Sequence, residues 1–137
     1  MPILFLLLFL LLPVQSKAPL PAPMVDAKRV YLVNESAKSE LFDFFYEEMK
    51  TWNRYEIVDS PDKADLVFEL TIQDDKGVYT NPANLRSYSY SKYKVRLAVT
   101  QSKTLLWSTT EAVKGTKDKD QQKAIKRLID DLKRRAG

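Results

Sequence analysis

A chain of 137 residues fits a single domain, and this one contains neither cysteine nor histidine. Their absence excludes disulfides, Ser-His and Cys-His nucleophile pairs and the common zinc sites. Only three glycines occur, so no glycine-rich phosphate loop can form. We therefore expect no enzyme: no catalytic residues, no metal ligands and no cofactor.

The N-terminus carries an unbroken apolar run over residues 3–12, followed by Pro13. A helix that spans a membrane needs about 20 apolar residues, so this run is too short. Val14 and Ser16 suit the pocket of signal peptidase, and the sequence predicts a signal peptide over residues 1–16. The protein is then exported, to the periplasm or outside the cell. No Lys or Arg precedes the run, so an uncleaved leader that anchors the chain to the membrane is the alternative.

Residues 17–27 contain three prolines, which lack the amide donor and fix φ. This composition predicts an extended tether between the leader and a single α/β domain over residues 28–137.

The first half of the domain alternates a strand, a helix and a strand. The apolar run Val30–Val33 predicts a buried strand, and Ser36 is the expected N-cap of a helix over Ser39–Trp52. The stripe of that helix is Leu41, Phe45, Met49 and Trp52. Tyr55–Val58 predicts a second strand, which gives a βαβ unit.

The second half predicts three more strands and a closing helix. Ser60-Pro61 favours one helical turn, and apolar alternation over Leu66–Ile72 predicts the third strand. Residues 73–87, rich in Asp, Asn, Gly and Pro, predict a long loop or irregular excursion. Alternation from Tyr93 to Val99 predicts the fourth strand, and Thr104–Val113 the fifth, paired with it as a hairpin.

The last helix is predicted from about Asp118 to Arg135, with an apolar stripe of Ile125, Leu128, Ile129 and Leu132. Residues 114–137 hold nine basic and four acidic side chains. This excess of basic charge has two interpretations. The helix is either a cationic docking surface or an ordinary solvated face, with i,i+4 ion pairs between Asp130 and Arg134 and between Asp131 and Arg135. The order β-α-β-β-β-β-α predicts an α+β fold, with one mixed sheet of about five strands and two amphipathic helices on one face.

Three patterns resemble the small domain of bacterial cell-envelope proteins of the curli-secretion CsgG type and the N-terminal domain of TolB. They are Ala64-Asp65 leading into Leu66–Ile72, then Val95–Val99 joined by a turn to Leu105–Ser108, and the closing helix. The resemblance implies the fold, the envelope compartment and a role in assembly or docking, and it carries over no site residues. The turn lacks the usual glycine, and the cysteine of the lipoprotein relatives is absent.

The candidate binding residues alternate along the fourth strand and, if the helices cover Tyr93, point away from them. They are Tyr88, Tyr90, Lys92, Lys94 and Arg96, and Tyr79 and Arg86 in the predicted loop extend the surface. Aromatic rings and cations on an open sheet bind a sugar, a peptide or single-stranded nucleic acid by stacking and charge. The alternative is an ordinary solvent face, with Glu69 pairing Lys94 or Arg96.

These features favour a non-catalytic, exported accessory or docking domain of the envelope, acting on another envelope protein through a sheet edge or its open face. The alternative is a binding module for an anionic or glycan polymer, using the same residues and the basic C-terminal helix. A hydrolase with paired carboxylates is a third hypothesis, although no carboxylate lies in an evident apolar pocket. Nucleic acid is not an expected partner of an exported chain, and a membrane is one only through an uncleaved leader. The sequence leaves the oligomeric state open.

Overall fold

The computed structural model describes residues 18–137, and the predicted signal peptide over residues 1–16 lies outside the described residues. Within this range the chain forms five strands: β1 (Arg29–Asn34), β2 (Glu56–Ile57), β3 (Leu66–Thr80), β4 (Ser87–Gln101) and β5 (Thr104–Ala112). The helices are α1 (Ala22–Asp26), α2 (Ser39–Trp52) and α3 (Asp118–Ala136), with a 3₁₀ turn at Pro61–Lys63. None of these helices has both the length and the apolar character to cross a bilayer.

The strands form one mixed sheet in the order β2-β1-β3-β4-β5. β1 runs parallel to β2 and β3, whereas β3, β4 and β5 pair antiparallel. β1, α2 and β2 therefore form the predicted βαβ unit, and the predicted α+β fold is confirmed.

The core lies between one face of the sheet and the helices α2 and α3. Val95, Leu97 and Val99 of β4 are fully buried, so this strand turns the predicted face inward. The apolar stripes of both helices pack into the same cluster, with Phe45 of α2 and Ile129 of α3 fully buried. Alternation along β4 then places Lys94 and Arg96 on the opposite face.

The segment from Ala18 to Ala27 packs against the domain instead of forming the expected extended tether. Leu20 is 5% exposed and Met24 is fully buried. The buried Tyr55 hydroxyl donates a 2.5 Å hydrogen bond to the Met24 carbonyl, and its burial raises the pKa of this phenol. Apolar burial outweighs the extended preference of the prolines, because Pro at the start of α1 costs no helical hydrogen bond.

The predicted loop over residues 73–87 is wrong, since β3 and β4 continue as a ribbon. β1 pairs with β3 only as far as Leu70, and β5 pairs with β4 only from Lys94 onward. Beyond these residues β3 and β4 pair only with one another, and their pairing continues without a break to Thr80 and Ser87. We call residues 73–92, including the turn at 81–86, the arm.

Two short side chains hold the ends of β1. The Ser36 hydroxyl exchanges two 3.0 Å hydrogen bonds with the backbone N–H and carbonyl of Ile72, so it extends the sheet instead of acting as the predicted N-cap. At the other end, Asp65 Oδ2 accepts 3.0 Å hydrogen bonds from the amides of Lys28 and Arg29. These two donors hold the pKa of the Asp65 carboxyl below its usual range.

Ion pairs attach α3 to its neighbours. Arg127 Nε lies 2.9 Å from Glu111 on β5, and Lys126 Nζ lies 3.3 Å from Glu48 on α2. The predicted pair between Asp131 and Arg135 is present at 3.0 Å. The predicted pair between Asp130 and Arg134 is wrong, because Arg134 also pairs with Asp131, and Asp130 pairs with Lys126. Much of the basic charge of α3 therefore has a structural role.

Candidate binding surface

The sheet register brings the predicted binding residues of β3 and β4 onto one face. Tyr79 lies directly opposite Tyr88, and along β4 the same face continues through four more side chains, Tyr90, Lys92, Lys94 and Arg96. We call these six residues the stripe. Six of the seven predicted residues are thus neighbours, with the tyrosines on the arm and Lys94 and Arg96 over the body of the sheet.

The arm is shaped so that one tyrosine lies flat on it. Gly77 is opposite Tyr90, and a Cβ at Gly77 would come within 2.2 Å of the Tyr90 ring. The glycine therefore gives room for the ring to cover the backbone of β3. Lys92 Nζ lies 5.3 Å from the centroid of the same ring, a cation–π distance.

Two of the three cations of the stripe have uncharged neighbours on both sides, whereas Lys92 is opposite Asp75. Arg96 lies between Thr71 and Thr110, and Lys94 lies between Gln73 and Ala112. Within residues 18–137, neither cation makes a salt bridge.

The expected pairing of Glu69 with Lys94 or Arg96 is wrong, because Glu69 is opposite Ala98. Lys94 and Arg96 thus have no carboxylate directly opposite them on β3.

Arg86 is not part of the stripe. It ends the turn of the arm, where its amide donates to the Asn84 side chain and its carbonyl accepts from the Asn81 amide. Tyr79 was expected in a loop and instead lies in β3, 55% exposed.

Sequence reasoning missed a second candidate surface, a groove on the other side of the sheet. An open apolar groove of about 270 Å³ lies where β1 runs past the end of β2, beneath α2. Its lining side chains are Tyr31, Leu32, Phe42, Tyr46, Ile57, Val58 and Asp59. These residues come from separate segments, and the chain shows no local signal that they meet.

No cluster of three or more potential metal ligands occurs between Ala18 and Gly137. Asp74 and Asp75 are adjacent in β3 and lie on opposite faces, because Asp74 lies 3.5 Å from Lys76 on one face and Asp75 is opposite Lys92 on the other.

No family model and no curated protein matches this chain in sequence. Solved structures match at low identity. A PDZ domain protein from Parabacteroides distasonis is 11% identical with a TM-score of 0.42, over 75% of this chain and only 30% of that one. Uncharacterized lipoprotein B from Nitrosomonas europaea is 15% identical with a TM-score of 0.42, over 90% of this chain and 83% of that one. The PelC dodecamer from Paraburkholderia phytofirmans is 12% identical with a TM-score of 0.48, over 85% and 92%. These likenesses do not show the resemblance to the CsgG-type domain or to TolB.

Proposed function

We propose that this protein is a non-catalytic, exported docking domain of the bacterial envelope, and that its stripe binds an extended, acidic segment of another envelope protein. The observation that carries the proposal is the continuous face on which three tyrosines and three cations meet.

The tyrosines favour a binding role over a structural one. Tyr79, Tyr88 and Tyr90 are 55%, 49% and 41% exposed, and they lie on a ribbon that projects beyond the core. Clusters of large, solvent-exposed aromatic side chains are typical of interaction sites, because each side chain offers much apolar area for contact and loses little conformational entropy on binding.

The charge and length of the stripe define the partner. From Tyr88 to Arg96 the strand advances about 26 Å at ~3.3 Å per residue, the length of an extended segment of about eight residues. Lys94 and Arg96 are without salt bridges in the described chain, and electrostatic complementarity then calls for carboxylates on the partner. The export of the chain rests on the apolar leader over residues 3–12.

An anionic or glycan polymer is the second candidate partner. The observation that supports it is the linear order of rings and cations along the stripe. Rings stack on sugar or base faces, and regularly spaced cations track a charged backbone. The basic C-terminal helix contributes less than expected, since Lys126, Arg127 and Arg135 are occupied in ion pairs.

A photo-crosslinking experiment tests the proposal in cells that produce the full chain. A photoreactive phenylalanine analogue replaces Tyr88, and the control places it at Thr51, exposed on α2. We expect a discrete protein adduct from position 88 only. The double variant K94Q/R96Q should lower its yield roughly tenfold. The variant K114Q/K119Q, which removes the same charge elsewhere, should leave the yield unchanged.

Three results would count against the proposal: no adduct at position 88, an equal adduct at position 51, or equal losses in both double variants. An adduct that survives protease and disappears on degradation of glycan would instead support the polymer and overturn the protein partner.

A further inference from the structure

The turn of the arm holds a leucine out into solvent. Leu85 is 80% exposed and has a left-handed backbone, with φ of 56°. Side-chain oxygens of Asn81 and Asn84 accept hydrogen bonds from the turn amides, and the Leu85 amide donates to the Asn81 carbonyl at 2.8 Å. A left-handed conformation disfavours a branched apolar side chain and suits Asn or Gly. Folding of the turn therefore does not account for leucine at this position.

The groove beneath α2 is a complementary hole. Phe42, Tyr46 and Ile57 supply its apolar walls, and Asp59 supplies a carboxylate. Its volume of about 270 Å³ is large enough for a leucine side chain. Because Leu85 is so exposed, the arm does not fill the groove of its own molecule.

The segments that carry Leu85, which we call the knob, and the groove, which we call the hole, have net charges of opposite sign. Residues 39–63, which form α2, β2 and the 3₁₀ turn, hold seven acidic and three basic side chains. The arm, residues 73–92, holds two acidic and three basic side chains, and Arg86 is the charged one in its turn. Arg86 adjoins the knob, and Asp59 in the hole makes only an exposed pair with Lys63 within the described chain.

We propose that copies of this protein associate head to tail, with Leu85 of one copy inserted in the groove of the next and Arg86 beside Asp59. The contact joins two different surfaces, so each bound copy keeps one free knob and one free hole. Association therefore continues beyond a dimer, to a closed ring or an open chain. It uses the turn and the groove, and so it is independent of the stripe and of its proposed partner.

Sedimentation of the full chain tests the proposal over protein concentrations from about 1 μM to about 1 mM, the range in which small interfaces dissociate. The knob variant is L85N, which suits the left-handed turn and removes the apolar side chain. The hole variant is Y46K, on the exposed side of α2. Each should weaken self-association by roughly tenfold or more. T51K, which adds the same cation to α2 away from the groove, should leave it unchanged.

Mixing the two variants gives the sharpest result. L85N retains a hole and Y46K retains a knob, so the mixture should form one-to-one dimers and nothing larger. The stripe variant K94Q/R96Q should self-associate as the unmodified protein does, whatever becomes of the adduct at position 88. A monomeric unmodified protein at the highest concentration, undiminished association of L85N, or a mixture without dimers would each overturn the proposal.

Discussion

Replacement of Met24 by alanine tests whether the segment before β1 belongs to the fold. Met24 is fully buried in the cluster that also contains Phe45 and Phe68. The change removes three heavy atoms, worth about 2.4 kcal/mol at ~0.8 kcal/mol for each methylene equivalent. A residual cavity adds to this loss, so we expect the free energy of unfolding to fall by about 3 kcal/mol, within the usual range for Met→Ala.

The assay is thermal and urea unfolding of the full chain, followed by circular dichroism. For a domain of this size the melting temperature should fall by roughly 10 °C. The urea midpoint should fall with an unchanged slope, because the surface exposed on unfolding stays nearly the same.

Val25 provides the matched control one residue away. It is 41% exposed, so Val25→Ala should change the free energy of unfolding by no more than about 0.5 kcal/mol. If Met24→Ala cost no more than Val25→Ala, the segment would be a tether after all and the packing argument would fail.

Three further changes probe the ends of β1, the arm and the β4–β5 turn. The lowered pKa of Asp65 means that its carboxylate stabilises the fold above the unfolded-state pKa, and this contribution is lost as pH falls through the folded-state pKa. Asp65→Asn should therefore be less stable than the unmodified protein at neutral pH, and the difference should vanish in acid. Urea midpoints measured between pH 2 and 7 check this. Gly77→Ala should displace the Tyr90 ring, seen as shifted tyrosine NMR signals, while unfolding free energy changes by less than about 1 kcal/mol, because only a side-chain tip must move. Lys103 has φ of 67° in the two-residue turn, so Lys103→Gly should raise the urea midpoint, by about 0.5–1 kcal/mol in free energy; a lower midpoint would contradict the strain.

The core was predictable because its elements have strong periodicity. The apolar residues of α2 recur with a 3.6-residue period and those of β4 with a two-residue period, and each set buries one face of its element. Both predictions are confirmed. The arm lacks such a signal, since a ribbon with no buried face carries no apolar alternation. The alternating serines and tyrosines of residues 87–91 and the β-propensity of Val78–Thr80 were the available evidence. The Asp, Asn, Gly and Pro residues of the same segment are typical of loops, and they favoured the wrong prediction.

The two candidate surfaces differ in how far sequence could predict them. The stripe follows from alternation along one strand, so its β4 members could be named in advance. The place of Tyr79 depended on the cross-strand register, which was unknown. The groove needs β1, α2 and the residues after β2 together, and only tertiary packing joins these segments.

The arm presents its binding groups already ordered, and this bears on both proposals. An isolated two-stranded ribbon is marginally stable in water. Here the ribbon continues two core strands, Tyr90 covers Gly77, and the hydroxyls of Thr80 and Ser87 lie 3.1 Å apart at its end. A partner that binds a preformed surface avoids the entropic cost of ordering it, so modest contact areas suffice for binding. Loss of these cross-strand contacts should therefore weaken association at the turn as well as binding at the stripe, whereas substitutions in the core should affect both only through global unfolding.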